Sequence, residues 1–446
     1  MSLFATAKSG VEVPVERTPS FSLDDGSLVF IPLLFYAFFC QSLASSSIVL
    51  YGCLLVSFAA FFLHFLINRR FASKRFGLEL VWMPFFALFY IHCLLYGISN
   101  LTLFVVYTLL FSCMYVASGE RGWVATCLRA LVCFAAFHAF CTILFWIAPS
   151  LFPPVKAMFF SSSYMARDYR SGFTAHYSTN SIYLSLGLVC WVCGLVGCRG
   201  KFRAKDSALS LMFLLALFLT TKRGPLLASI VAIAVSYLFV NRKKFTGTLL
   251  KVFVFVGIAV IACGVLAMFV PAIQATLERF VELSEDDTGN GRTYLYDFAW
   301  YLFHANPAFG AGWGAYSKYV AMTSVGAMYR EIGFSAMSAH NVYLQLLAET
   351  GIVGLVLFAV PAFITVASSM RRSSSYFESV VYGDSFCLWA CLGLQLFFLI
   401  YCFSGNPLYD PQCYIPYFIS CVSVFAMFGS NEKIVKGEEG SNDYMY

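Results

Sequence analysis

Twelve stretches of this chain are apolar for long enough to form helices that cross a bilayer, and no other feature restricts its fold so tightly. A helix needs roughly 20 apolar residues to span the hydrocarbon core. Such runs lie near 27–45, 47–68, 78–98, 101–118, 122–148, 181–198, 207–221, 224–240, 247–270, 342–369, 385–403 and 411–429. The seventh is short enough for a re-entrant segment. Of 446 residues, 60% are hydrophobic and 12% charged, about half the charge of a soluble domain. The expected fold is an all-α polytopic membrane protein of about 12 transmembrane helices.

The basic residues test the threading. With the N-terminus in the cytoplasm, the inward loops carry Arg69, Arg70, Lys74 and Arg75, then Arg121, then Arg199, Lys201, Arg203 and Lys205, then Arg242, Lys243 and Lys244, then Arg371 and Arg372. The short outward loops near Ser46, Asn100 and Asn406 have neither Lys nor Arg. This is a positive-inside pattern with both termini cytoplasmic. The net charge of +6 is therefore spread over short loops, which is topology and gives no footprint for nucleic acid. The segment before Ser27 sets Lys8 and Arg17 against Glu12, Glu16, Asp24 and Asp25. A cleaved signal peptide wants a positive start, so the first span reads as a retained anchor. Nearly all of the 16 cysteines fall inside apolar runs and read as small buried or lipid-facing side chains. Cys190 and Cys193 have CxxC spacing but no second pair.

The expected organisation is a cytoplasmic tail over 1–26, nine spans over 27–270, a large outward loop over 271–341, three spans over 342–429 and a polar cytoplasmic tail over 430–446. A second, shorter outward loop covers Ser150 to Asn180. Long loops of this kind commonly carry function.

The large loop opens with a predicted helix, Ala272 to Leu283, and an acidic, turn-rich link to Gly291. In the helix that follows, Arg292, Tyr296, Trp300 and His304 recur at i, i+4, i+8 and i+12 and share a face. A fixed cation among aromatics suits a lipid phosphate beside a sugar. The aromatics also fit an amphipathic helix at the membrane interface; Arg292 is the member that points to a site. Gly310-Ala311-Gly312-Trp313-Gly314 lacks the spacing and the preceding strand of a nucleotide loop, and reads as a flexible turn.

Where the large loop returns to the membrane stands His340-Asn341, with Gly351 and Gly354 following. Asn341 can cap the incoming helix, and the two glycines allow close helix approach. His340 has the chemistry to abstract a proton from a sugar hydroxyl; a histidine bonded to a carbonyl at the cap is the plainer reading. Glu349 falls about 180° round the helix from His340, so it is expected to pair with another helix. Lys222 and Arg223 sit at an outward helix start, just before Gly224-Pro225. Two cations beside unpaired backbone N–H groups make an anion site, and equally an ordinary interfacial anchor. Arg170 and His176, in the shorter loop, are candidates for the same site. His64, His92 and His138 lie within spans and read as hydrogen-bonded packing residues. Ionisable groups near mid-membrane are sparse, Arg129 and Glu349 among them, which disfavours a transporter.

Four separated features resemble the O-antigen ligase and O-antigen polymerase superfamily. Arg223 with Leu227 is similar to its R-x3-L element. His340-Asn341, nine residues, then Gly351-x-x-Gly354 is similar to its H-[NSQ]-x9-G-x-x-G element. Gly291-Arg292 matches the GR segment of its large loop. Arg170-x-Gly172-Phe173 with Asn180 resembles its R-x-x-G-x-F-x-h-x-N region, one residue short and with Tyr177-Ser178-Thr179 where a proline is common. Leu355 stands where a small residue is frequent.

The resemblance implies a metal-independent GT-C type membrane glycosyltransferase without a cofactor. Its donor would be an undecaprenyl-diphosphate-linked glycan, and its acceptor a glycan or lipid hydroxyl in lipopolysaccharide, capsule or exopolysaccharide assembly. It would sit among membrane lipids in a bacterial cytoplasmic membrane, with the active site on the extracytoplasmic side. Arg223 and Arg292 would bind the diphosphate, with Lys222, Arg170, His176 and Asn341 as further binding residues and His340 activating the acceptor. A flippase for lipid-linked sugars and a protein O-oligosaccharyltransferase are the alternatives.

Overall fold

The computed structural model describes residues 25–40, 42–43, 47–68, 78–116, 122–160, 166–198, 204–269, 271, 273–275, 277–278, 292–331, 337–376 and 382–429. Both tails, the basic stretches 69–77 and 199–203, Arg121 and the acidic link 279–291 lie outside them. Among the described residues every regular element is helical.

The helices are α1 (Asp25–Phe39), α2 (Ser47–Asn68), α3 (Met83–Tyr96, entered through a 3-10 turn at Leu78–Trp82), α4 (Leu101–Val116) and α5 (Gly122–Ile147). A short α6 (Phe152–Phe159) precedes α7 (Tyr177–Gly197), α8 (Ala204–Leu219), α9 (Arg223–Val240) and α10 (Phe245–Ala267). The large loop holds α11 (Arg292–Ala305), α12 (Ala315–Ala321) and α13 (Ser324–Glu331), and the chain ends in α14 (Val342–Tyr376), α15 (Tyr382–Tyr401) and α16 (Pro411–Gly429). Among the described residues, six helices are long and apolar enough to cross a membrane: Ile48–Leu66, Gly122–Ile147, Tyr177–Gly197, Arg223–Val240, Val342–Ser373 and Asp384–Tyr401. Four more are apolar but shorter. The chain is a polytopic membrane protein.

The expected spans and the observed helices differ at their ends for local reasons. α1 stops at Phe39, short of the expected 45, where the chain turns and the Ser42 hydroxyl donates to the Phe173 carbonyl. α7 starts at Tyr177, before the expected 181, because His176 caps it: the imidazole Nδ1 accepts from the Ser178 amide at 3.0 Å. α8 has 16 residues, short as the sequence indicated.

α7 is the centre of the bundle, packed against α5, α8, α9 and α15. Its Gly194 and Gly197 lie so close to the rings of Phe386 and Trp389 that an added methyl would overlap them. Small residues at such contacts let helices approach where lipid supplies no hydrophobic drive. Cys190 and Cys193 are buried in this helix, and the Cys193 thiol donates to Ser236. The described cysteines are free thiols. Of the expected packing histidines, His138 Nε2 meets the Phe38 carbonyl at 3.1 Å, while His92 packs by its ring on Tyr96.

The feature that positions the large loop is a break in α14. Gly351 has φ 64° and ψ −166°, outside the helical region. The break takes two carbonyls and two amides out of the helix ladder. Residues 307–312 pair with all four: Ala311 N–H donates to Ala348 O (3.0 Å), Gly312 N–H to Glu349 O (2.8 Å), Ile352 N–H to Pro307 O (2.9 Å) and Val353 N–H to Ala308 O (3.2 Å). Irregular backbone at this depth is tolerated only when buried in protein and paired. The Gly310–Gly314 segment is thus a fixed crosspiece, which corrects the expectation of a flexible turn. Trp313 completes it, buried among Phe85, Phe89, Tyr107 and Tyr409. Gly351 and Gly354 serve this junction: a Cβ on Gly351 would come within 2.3 Å of the Ala308 backbone.

A left-handed residue in van der Waals contact with backbone does not accept a side chain without strain. Gly351→Ala is expected to destabilise the protein by about 1–3 kcal/mol or more, read as a lowered thermal midpoint in detergent.

Candidate active site

The site forms where the starts of α7, α9, α11 and α14 meet the end of α15. Gly224 lies against the Tyr401 ring and the Ser404 side chain. At the start of α14, the Val342 amide donates to the Cys402 carbonyl at 2.8 Å, and the Asn406 amide bonds the Ser338 hydroxyl. Those contacts pin the turns bearing Arg223 and His340 to one hairpin, 401–410. Among the described residues, the two non-glycine residues with positive φ both stand here: Thr221 (φ 56°), just before Lys222, and His340 itself (φ 51°). Non-glycine residues take that conformation at a cost and cluster at functional sites.

His340 is half-buried, and two cations act on it from other elements: Arg292, the first residue of α11, and Lys222, just before α9. Burial and these two positive charges push its imidazole down to about 4. At neutral pH it is therefore unprotonated, the state a general base requires. Lys222 also faces the first turn of α7. Its Nζ lies 4.3 Å from the centre of the Tyr177 ring, and burial, together with the Lys222 charge, pushes His176 down to about 4 as well. Arg170 approaches the same ring at 5.8 Å.

The structure brings together most of the residues singled out from the sequence, but gives three of them structural duties. Asn341 caps α14, its Oδ1 accepting from the Tyr343 and Leu344 amides at 3.0 and 3.2 Å, as the sequence led us to expect. His176 caps α7. Arg170 is paired with Asp168 at 2.7 Å, which the sequence reading missed and which raises the guanidinium's pKa. The nearby Gly172 and Asn180 have a packing role: Asn180 donates to Thr142 Oγ1 and to the Arg170 carbonyl, both at 2.9 Å, and a Cβ on Gly172 would strike both side chains. On α11, Leu295, Ala299 and Leu302 face inward, so Trp300 and His304 lie exposed on the opposite side, with His304 bonded to the Trp300 carbonyl. The expected aromatic face is an exterior face, and Arg292 is the member tied electrostatically to the site.

The setting of one hairpin went unrecognised in the sequence. Tyr401 is acted on by both Arg292 and Asp410, which places those side chains on one hairpin's surroundings. Burial pushes the Asp410 carboxyl up to about 7. A single acidic residue in a short apolar hairpin carries no sequence signal of such a setting. Glu349 does pair with another helix, as expected, accepting from the Tyr316 amide of α12; it also accepts from the Gly314 amide of the crosspiece and from the Tyr409 hydroxyl.

His340, Arg292 and Lys222 thus come from three separate elements of a polytopic membrane protein to act on one another. Residues 208–359 match the family model described as O-antigen ligase. That match supports the resemblance, carried by the motifs, to the O-antigen ligase and polymerase superfamily, a family of glycosyltransferase-like membrane enzymes. The segment includes Lys222, Arg223, Arg292, His340 and Asn341. No curated protein matches the chain.

Asn341→Ala should cost about 1 kcal/mol through the lost cap, whereas Asn341→Asp should hold it. Faster amide exchange at Tyr343 and Leu344 in the alanine variant alone is the expected signature.

Proposed function

We propose that this protein is a GT-C type glycosyltransferase. It moves a glycan from an undecaprenyl-diphosphate carrier to an acceptor hydroxyl on the extracytoplasmic side of a bacterial cytoplasmic membrane. The observation that carries this reading is the electrostatic grouping of His340 with Arg292 and Lys222. A diphosphate suits this group, since guanidinium forks and an ammonium match its oxygens.

In the proposed reaction the imidazole of His340 takes the proton of the acceptor hydroxyl. The acceptor oxygen forms a bond to the anomeric carbon as the bond from that carbon to the phosphate oxygen breaks. The bonding pair leaves with undecaprenyl diphosphate, whose added charge is stabilised by Arg292, Arg223 and Lys222. The donor is already activated, so the step needs no nucleotide. Twelve crossings with both termini cytoplasmic belong to the same proposal, supported by the basic triplet Arg242–Lys244 at the end of α9 far from the site. The acceptor separates ligase from polymerase: repeated elongation of the glycan marks a polymerase, and one transfer to a different acceptor marks a ligase.

With purified protein and undecaprenyl-diphosphate glycan, His340→Ala and Arg292→Ala are expected to abolish transfer while still inserting into membranes; full activity of both would refute the assigned roles. Arg223→Lys should lose much of the rate if bidentate contact matters. The pH profile gives an independent check. Protonation removes the base, so kcat/KM should hold at neutral pH and fall as pH drops through about 4. In an Arg292 variant with residual turnover, such as Arg292→Lys with its more mobile charge, that acid limb should move upward, toward the ordinary histidine value of 6.5.

A further inference from the structure

We propose that Glu349 is a positioning residue, which holds the His340 turn and the Arg292 helix at a fixed spacing through two hydrogen-bonded arms. This rests on the transferase reading of the site. Glu349 is fully buried and touches neither His340 nor Arg292 in any hydrogen bond the structure records, yet it is joined to both. One arm runs through Gln345. Its amide donates to Glu349 Oε1 at 3.2 Å, and its Oε1 accepts from the Ala339 amide at 3.1 Å, one residue before His340. The other arm runs through Tyr316. Its backbone amide donates to Glu349 Oε1 at 3.2 Å, and its hydroxyl donates to the Leu295 carbonyl at 2.7 Å, in the first turn of the helix that Arg292 begins.

The second carboxylate oxygen fixes the surroundings of that linkage. Oε2 accepts from the Gly314 amide at 2.9 Å and from the Tyr409 hydroxyl at 2.7 Å. Four donors converge on a carboxylate, which offers about four lone-pair sites and no hydrogen. Glutamine would turn an N–H toward two of those donors. Losing one partner of a buried, fully paired polar network leaves the others unsatisfied. The link therefore suits a rigid brace between two groups that must act on one substrate. Displacing a catalytic group by about 1 Å can cost 100-fold in rate.

The experiment titrates the imidazoles of the full-length protein by NMR, with labelled histidine, in lipid nanodiscs. Tyr316→Phe removes only the hydroxyl of the second arm and keeps the ring against Phe298; Glu349→Gln disturbs both arms. Arg292 and Lys222 are the charges acting on His340, with Tyr401 and Asp410 on the adjoining hairpin. If the brace sets the Arg292 to His340 spacing, the His340 titration moves up from about 4 toward 6.5 in both variants. His176, governed by Lys222 and burial, stays near 4 and serves as the internal control. In the transfer assay kcat should fall on the order of 10–100-fold, with a smaller change in KM for the donor. An unmoved His340, or a His176 that moves with it, overturns the proposal, and Tyr316→Phe decides if Glu349→Gln does not fold. Wild-type protein that transfers no glycan would instead refute the transferase reading, because the titration needs no turnover.

Discussion

A helix that breaks inside a membrane protein must find partners for the backbone groups it releases, and the rest of this site follows from how α14 does so. Gly351 leaves the helical region, and the crosspiece 307–312 pairs with the carbonyls and amides around the break. Lipid offers no partner for such groups, so the crosspiece cannot drift without unsatisfying them. Docking it also fixes what is attached to it: α11 on one side, α12 on the other, and Trp313 wedged among aromatic rings of α3 and α4. The large loop is in this way built into the bundle.

Once the loop is anchored, α11 carries Arg292 to the turn that bears His340. Lys222 reaches the same imidazole from the start of α9, and Tyr177 receives Lys222 and Arg170 on its ring. Both non-glycine residues with positive φ among the described residues, Thr221 and His340, stand in these same turns, where a cation or the imidazole is carried.

The segment that matches the O-antigen ligase family spans residues 208–359 and so contains α9, the large loop and the broken half of α14. The remainder of the site comes from flanking elements. The Arg170 loop is held by Asp168, Thr142 and Asn180, and the hairpin 401–410 supplies Tyr401, Tyr409 and Asp410. Those flanking parts shape the surroundings of the cations and the imidazole.

The sequence by itself determined the class of molecule, because apolar run length and the placement of Lys and Arg are properties of the chain alone. It also determined several helix starts, since Asn341 announces a cap locally and Pro225 fits the first turn of α9. It identified Lys222, Arg292 and His340 as candidates, but could not bring them together. Only the tertiary structure decided that convergence, for it depends on the crosspiece docking at Gly351. It alone gave Glu349 its four donors, because three of them come from residues distant in the chain, and their directions are set by backbone that no local pattern encodes. The same holds for Trp300 and His304: helical spacing told which residues share a face, and only packing told which way that face turns.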